Sequence, residues 1–174
     1  MNISEFKQEL TANRDYFYQF PFPMRTYYHW TAGRHFTTFD DYHYCIDGDG
    51  EIINTRPITE TPSATWHRNT GSIAIALCAC YNGTPKDLGE YAPTEAQIET
   101  LAQMTAVIAE VFENPIDYNH FMTHGEAADE DGYGLYSGDS DCRWDLQILH
   151  TGDEYGTGGD IIREKAQYYL EQGV

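Results

Sequence analysis

The stretch Ser72-Ile-Ala-Ile-Ala-Leu-Cys-Ala-Cys80 decides the fold class. It is apolar almost throughout, the signature of a central strand buried on both faces. Downstream, Thr94-Glu-Ala-Gln97 forms a capping box, in which a threonine and a glutamine three residues apart satisfy the first free amides of a helix. Ile98, Leu101, Ala102, Thr105, Ile108 and Phe112 then recur at three- and four-residue steps until Asn114-Pro115 ends the run. A doubly buried strand followed by a long amphipathic helix places the chain in the α/β class.

Working upstream, Tyr42 to Asp47 reads as a strand, Gly48-Asp-Gly50 as a tight turn and Glu51 to Arg56 as its hairpin partner. Arg25 to Trp30 is rich in aromatics and reads as a strand ending near His29. Gln19-Phe-Pro-Phe-Pro23 excludes a helix and reads as an extended arm. Ile3, Phe6 and Leu10 stand at helical spacing behind Ser4, taken as the cap. Downstream, His120 to Thr123 reads as a short strand, Gly125 to Ser140 as a glycine- and acid-rich loop, and Asp160 to Glu171 as a last helix. The expectation is one α/β domain over residues 1–174, its central mixed β-sheet flanked by helices. Residues 1–24 form an N-terminal helix and arm, 25–146 the core, and 147–174 a C-terminal helical segment.

The net charge of −18 argues against nucleic acid and anionic membrane surfaces, which would repel the chain, and favours capture of cations. Cys45, Cys78, Cys80 and Cys142 contain no CxxC pair, and Cys78 and Cys80 alternate in an apolar run where cysteine behaves as a small hydrophobe. A reduced compartment is the simpler expectation. Met1 to Leu10 shows no secretory signal, and no apolar stretch reaches the roughly 18 residues of a membrane span. The chain is expected to be a monomer made in the cytoplasm without a signal peptide, or a domain of a longer protein.

Chemistry is sought among seven histidines: His29, His35, His43, His67, His120, His124 and His150. There is no HExxH, so metal ligands would come from separate strands and loops. A catalytic zinc takes three protein ligands and leaves a fourth position open. His29 stands at a strand end before the turn Thr31-Ala-Gly33, and His124 closes the strand that precedes the acidic loop. Asp145 follows in Cys142-Arg-Trp-Asp-Leu146, where Cys142 competes as a thiolate ligand. His120, four residues before His124, shares its strand face or belongs to the core.

Five features in order resemble the type-2 N-acetylmuramoyl-L-alanine amidases, a family that includes phage endolysins and the peptidoglycan recognition proteins. They are His29-Trp-Thr-Ala-Gly33, Tyr42-His-Tyr-Cys-Ile-Asp-Gly-Asp-Gly50, His67-Arg-Asn69 leading into Ser72-Ile-Ala-Ile75, Pro93-Thr-Glu-Ala-Gln97, and His124 with Arg143-Trp-Asp145. The resemblance spans about residues 25–146. It implies zinc bound by His29, His124 and Asp145, and hydrolysis of the amide between the muramic acid lactyl group and L-alanine in peptidoglycan or muropeptides. It places Tyr42 as a donor to the oxyanion or an orienter of water, and His67 and Asn69 along the substrate groove. Arg143 stands where the family usually has Lys. An arginine stabilises an oxyanion but does not give up a proton, so Glu126 is a rival for proton transfer. Trp66 and Tyr133 are candidate aromatic walls, and the acids of the 125–140 segment would favour an amine-bearing stem peptide or form a solvated rim. A peptidoglycan-binding module without catalysis, and a zinc hydrolase of another amide, are the alternatives. A phage lysin, a recycling enzyme and a delivered effector are the settings that fit.

Overall fold

The computed structural model describes residues 1–174. Helices α1 (Ile3–Ala12) and α2 (Arg14–Tyr18) precede strand β1 (Thr26–Trp30), followed by the hairpin β2 (Tyr44–Ile46) and β3 (Ile52–Asn54). Strand β4 (Ile73–Leu77), helix α3 (Glu95–Phe112), strand β5 (Phe121–Thr123) and helices α4 (His124–Asp131) and α5 (Gly158–Gln172) complete the chain. The sheet order is β3-β2-β4-β1-β5, so the Ser72–Cys80 stretch supplies the middle strand. Only β2–β3 is antiparallel; β4 pairs in parallel with β1 and β2, and β1 with β5. This is the single-domain α/β fold with a mixed sheet that the sequence predicts.

The alternation within β4 sorts its two faces. Ile73, Ile75 and Leu77 join Tyr28, Trp30, Tyr44 and Ile46 in the main core, beneath Phe6 and Leu10 of α1, the apolar stripe of α3 and Ile162 of α5. Each of those large side chains contributes about 1.5–3 kcal/mol by leaving water. Small Ala74 and Ala76 point the other way, on the face shared with Tyr27, Cys45 and Met122. Small residues there leave room for side chains to converge above the sheet. No helix is long and apolar enough to cross a membrane.

Three local expectations are corrected. The cap of α1 is Asn2, not Ser4: Asn2 Oδ1 accepts from the Glu5 amide, and Glu5 reciprocates. Helix α2 was not expected between α1 and the arm, because its five residues are too few to show a period. The stretch 125–140 is not loop throughout. Thr123 and Glu126 form a capping box that opens α4, and Gly132 closes it in the left-handed conformation at φ 85°. His124 therefore begins a helix rather than ending a strand. The acids at the end of α4 oppose its dipole, but Arg68 holds two of them, Glu130 and Asp131.

Candidate metal centre

Strand β1 carries Tyr27 and His29 on one face and Tyr28 and Trp30 on the other, as the pleat requires. Its parallel neighbour β5 is in register with it, Tyr28 opposite Thr123, so the next residues along, His29 and His124, arrive side by side. The third member, Asp145, comes from the segment behind Tyr133. The Arg143 amide donates to the Tyr133 carbonyl (2.9 Å) and the Gly125 amide to the Asp145 carbonyl (3.1 Å). That approach needs glycine at position 125: a Cβ there would lie 2.5 Å from Gln147 Cγ and 2.9 Å from the Asp145 carbonyl oxygen. Leu146, at φ 60°, then turns the chain away in a backbone conformation uncommon for leucine.

The result is a buried triad. His29 and His124 face each other through their Nδ1 atoms at 3.1 Å, and Asp145 Oδ2 lies 3.5 Å from His124 Nδ1 and 3.8 Å from His29 Nδ1. All three ligand atoms lie within 4.8 Å of one another, and the side chains are nearly closed to solvent. The far side of each ring is anchored: His29 Nε2 lies 3.1 Å from Thr65 Oγ1, and His124 Nε2 lies 3.3 Å from the Tyr133 hydroxyl. With the Nε2 protons assigned to those partners, both Nδ1 atoms present lone pairs to a carboxylate. One backbone amide, that of Trp30, donates to Asp145 Oδ2 at 3.3 Å. Three buried acceptors converging on so little donor capacity fit a cation.

Electrostatics agree with that assignment. Burial, with His124 adding to it, pushes His29 down to about 3, so it is a neutral ligand at ordinary pH. Burial favours the neutral acid at Asp145, yet His124, His29 and the Trp30 amide together hold it below the usual carboxylate range. The donor set of two imidazoles and one carboxylate, with an open cleft beside it, suits a catalytic zinc.

The remaining candidates fall into three groups. Tyr42 and Arg143 line a cleft of about 440 Å³ that reaches Asp145 and His124. The Tyr42 ring sits 5.1 Å from that of His29, and burial, reinforced by Asp145, raises its pKa and keeps the hydroxyl protonated. Arg143 turns its Nη1 to Asp141 Oδ1 at 2.7 Å. Cys142 lines the same cleft but stands outside the converging triad.

Trp66 and Tyr133, 5.7 Å apart in an edge arrangement, line an adjoining cleft of about 390 Å³ with His124, Asp139 and Asp141. The His67 ring lies 4.0 Å from that of Trp66, tilted by 55°, and borders a different cavity.

Three expectations change with the geometry. Asn69 is turned into its own loop, where Oδ1 accepts from the Ala64 and Thr65 amides at 3.0 and 2.7 Å; it positions Thr65 rather than lining a groove. Glu126 is not free to shuttle protons. Its carboxylate is buried, caps α4 and takes a paired contact from Arg163 at 3.0 and 2.8 Å. His120 lies outside β5 and is half-buried beside Asp117 at 2.7 Å, neither core nor partner to the triad. Sequence reasoning missed Thr65 altogether, since a lone loop threonine carries no period or motif.

The sequence profile of the N-acetylmuramoyl-L-alanine amidase family matches residues 11–142, more than half of the chain. The matched span holds His29 and His124 and stops short of Asp145. No curated protein matches the chain. Among solved structures it is similar to the endolysin N-acetylmuramoyl-L-alanine amidase LysCS from Clostridium intestinale URNW, at 19% identity and a TM-score of 0.47 over 63% of this chain and 73% of that one. The Ph2119 endolysin from Thermus scotoductus MAT2119 bacteriophage Ph2119 is 16% identical, with a TM-score of 0.49 over 88% of this chain and 95% of that one.

Proposed function

The chain belongs to the N-acetylmuramoyl-L-alanine amidase family, and from that premise we propose that it is a zinc-dependent hydrolase of the amide between the lactyl group of N-acetylmuramic acid and L-alanine in peptidoglycan. The observation that carries the metal part is the convergence of His29, His124 and Asp145, three buried acceptors of which His124 and Asp145 also line a cleft. A module that only bound peptidoglycan would have no need of this complete ligand set. Bound zinc supplies a Lewis acid for the scissile carbonyl and a water of lowered pKa.

The chain's own groups do the rest. Thr65 and Tyr133 hold the two rings so that their Nδ1 lone pairs face inward. Tyr42, kept protonated beside His29, is placed to donate to the oxygen that gains charge as the carbonyl becomes tetrahedral. Arg143 adds a fixed positive charge at the cleft but holds its protons permanently. With Glu126 committed to Arg163, the Tyr42 and Tyr133 hydroxyls at the two clefts are candidates to pass a proton to the leaving amine. Trp66 and Tyr133 offer flat walls against which a sugar or peptide packs.

Mass spectrometry of purified muramyl-peptide fragments, with metal analysis of the protein, tests this reading. The wild type is expected to hold one zinc and release peptides beginning with free L-alanine, and His124→Ala to do neither. Release of such peptides by metal-free protein, or cleavage of peptides lacking muramic acid, would overturn it.

A further inference from the structure

Thr65 and Tyr133, the outer partners of His29 and His124, belong to two segments far apart in the chain. Each segment is held stiffly. The Arg68 amide donates to the Thr65 carbonyl at 3.0 Å, closing a turn with Trp66 and His67 at its tip, and Asn69 Oδ1 takes the Ala64 and Thr65 amides. His67 completes that turn at φ 60°, a conformation non-glycine residues seldom adopt. Opposite it, α4 runs from His124 to Asp131, and the Tyr133 amide returns to the Ala128 carbonyl at 2.9 Å. The cleft of about 390 Å³ has Trp66 on the first wall and Tyr133 on the second.

One charged side chain joins the two walls. The Arg68 guanidinium meets the Asp131 carboxylate with both arms, Nε to Oδ2 at 2.8 Å and Nη2 to Oδ1 at 2.9 Å, and Nη2 also reaches Glu130 at 3.0 Å. Its remaining nitrogen, Nη1, donates to the Tyr27 hydroxyl and touches Met122 Sδ, each at 3.4 Å. Tyr27 and Met122 stand two residues before His29 and His124, on β1 and β5. A paired contact of this kind fixes orientation as well as distance. The demand for it is electrostatic. Asp129, Glu130 and Asp131 follow one another at the C-terminal end of α4, where the helix dipole is negative. Gln147 holds Asp129 at 2.8 Å. Arg68 holds the other two, and without it their repulsion drives that end of the helix away from the turn.

We propose that Arg68 is a positioning residue for the metal centre and its cleft: by clamping the end of α4 to the 64–69 turn, it sets the separation of the two walls and keeps Thr65 and Tyr133 against the histidines. Arg68 is bonded to none of the triad and acts through these neighbours. With the clamp broken, turn and helix end move independently, so the imidazole rings lose orientation and the cleft loses its width. The effect on substrate rests on the proposed amidase reading, whereas the coupling of the walls does not.

The test is Arg68→Met, which keeps an aliphatic stem against Tyr27 and removes the fork. Hydrogen–deuterium exchange of the metal-free protein reads the coupling directly. Exchange should rise about fivefold in both 64–69 and 128–133, the upper range for an ion pair that solvent reaches, and stay unchanged in β4. Zinc affinity, measured by chelator competition, should fall about three- to tenfold, less than outright loss of an outer partner. At saturating zinc, KM for a muramyl-peptide should rise about fivefold with kcat within about twofold. Asp131→Asn added to Arg68→Met should change each value by less than about twofold, since both act on one contact. Arg68→Lys should recover part of each loss. A lower melting temperature with exchange, zinc affinity and KM unchanged would overturn the proposal. So would faster exchange in one wall alone, or full additivity of the two substitutions. Failure of the amidase reading would look different: wild type would leave muramyl-peptides intact while the paired rise in exchange persisted.

Discussion

The contact between Thr65 and His29 gives the sharpest test of the metal centre. Thr65→Val keeps the side chain's shape and removes one oxygen, in a position about 1% exposed where water cannot replace it. The His29 Nε2 proton then has no acceptor, and the ring is free to rotate or to place its proton on the Nδ1 that should face the cation. Loss of such an outer partner lowers metal affinity by about 10- to 100-fold, equivalent to roughly 1.4–2.7 kcal/mol. Tyr133→Phe serves as an internal comparison. Its hydroxyl sits farther from His124, at 3.3 Å, on a half-buried side chain where water can substitute, so about a threefold loss is expected. Zinc affinity is measured by competition with a chromophoric chelator at constant pH, and thermal melts in excess chelator report any change in the metal-free fold. If Thr65→Val binds zinc within twofold of the wild type, the assignment of His29 Nδ1 as a metal ligand is wrong.

Other outcomes follow from the same geometry. Asp145→Asn should abolish stoichiometric zinc binding whereas Cys142→Ser retains it, as read by metal analysis after dialysis; the reverse result would move the third ligand to the thiol. Glu126→Gln removes the buried partner of Arg163 and leaves it the exposed Asp160 carboxylate alone, and should lower stability by about 1.5–3 kcal/mol in urea titration. The turnover of its folded fraction should stay within a few fold, and a thousandfold loss would return Glu126 to the reaction. His43 is locked neutral, accepting the Ala74 amide at Nδ1 and lying 2.7 Å from the Glu60 carbonyl through Nε2, and burial pushes it down to about 4. The unfolded chain, with an ordinary histidine, takes up the proton first. Stability is therefore intact above about pH 6.5 and falls toward pH 4, by about 1.4 kcal/mol per pH unit from this residue. Buried His29 adds a like slope in chelator-treated protein, so His43→Gln should reduce the pH dependence of the denaturation midpoints by about one histidine's share rather than abolish it.

The central strand and the long helix were legible because each carries its signal locally: an apolar run for β4 and a cap with a 3.6-residue period for α3. Helix α4 was also written in the chain, in Thr123-His-Gly-Glu126, but Gly125 and the acids of 129–131 masked it. Its first glycine answers the close approach of Asp145, not a turn, and only the packed structure reveals that demand. The triad could be named from motif order, yet what makes its geometry workable could not. Thr65, Asn69 and Arg163 act across sequence separations of 36, 4 and 37 residues through single contacts that leave no repeating pattern. Glu126 shows the converse error, in which proximity to His124 in sequence suggested a role that its side-chain direction denies.

The side-by-side pairing of β1 and β5 has a consequence for the unfolding of this protein. His29 and His124 are 95 residues apart in the chain. The four cysteines are all free, so no covalent bond spans that interval. A cation gripped from both strands would act as a reversible cross-link, closing a loop of a size for which a permanent bridge restricts the unfolded chain by about 4–5 kcal/mol. The edge strand β5 would then detach only as fast as the metal is released, and the protein's lifetime against unfolding would be set by ligand exchange at its own reaction centre.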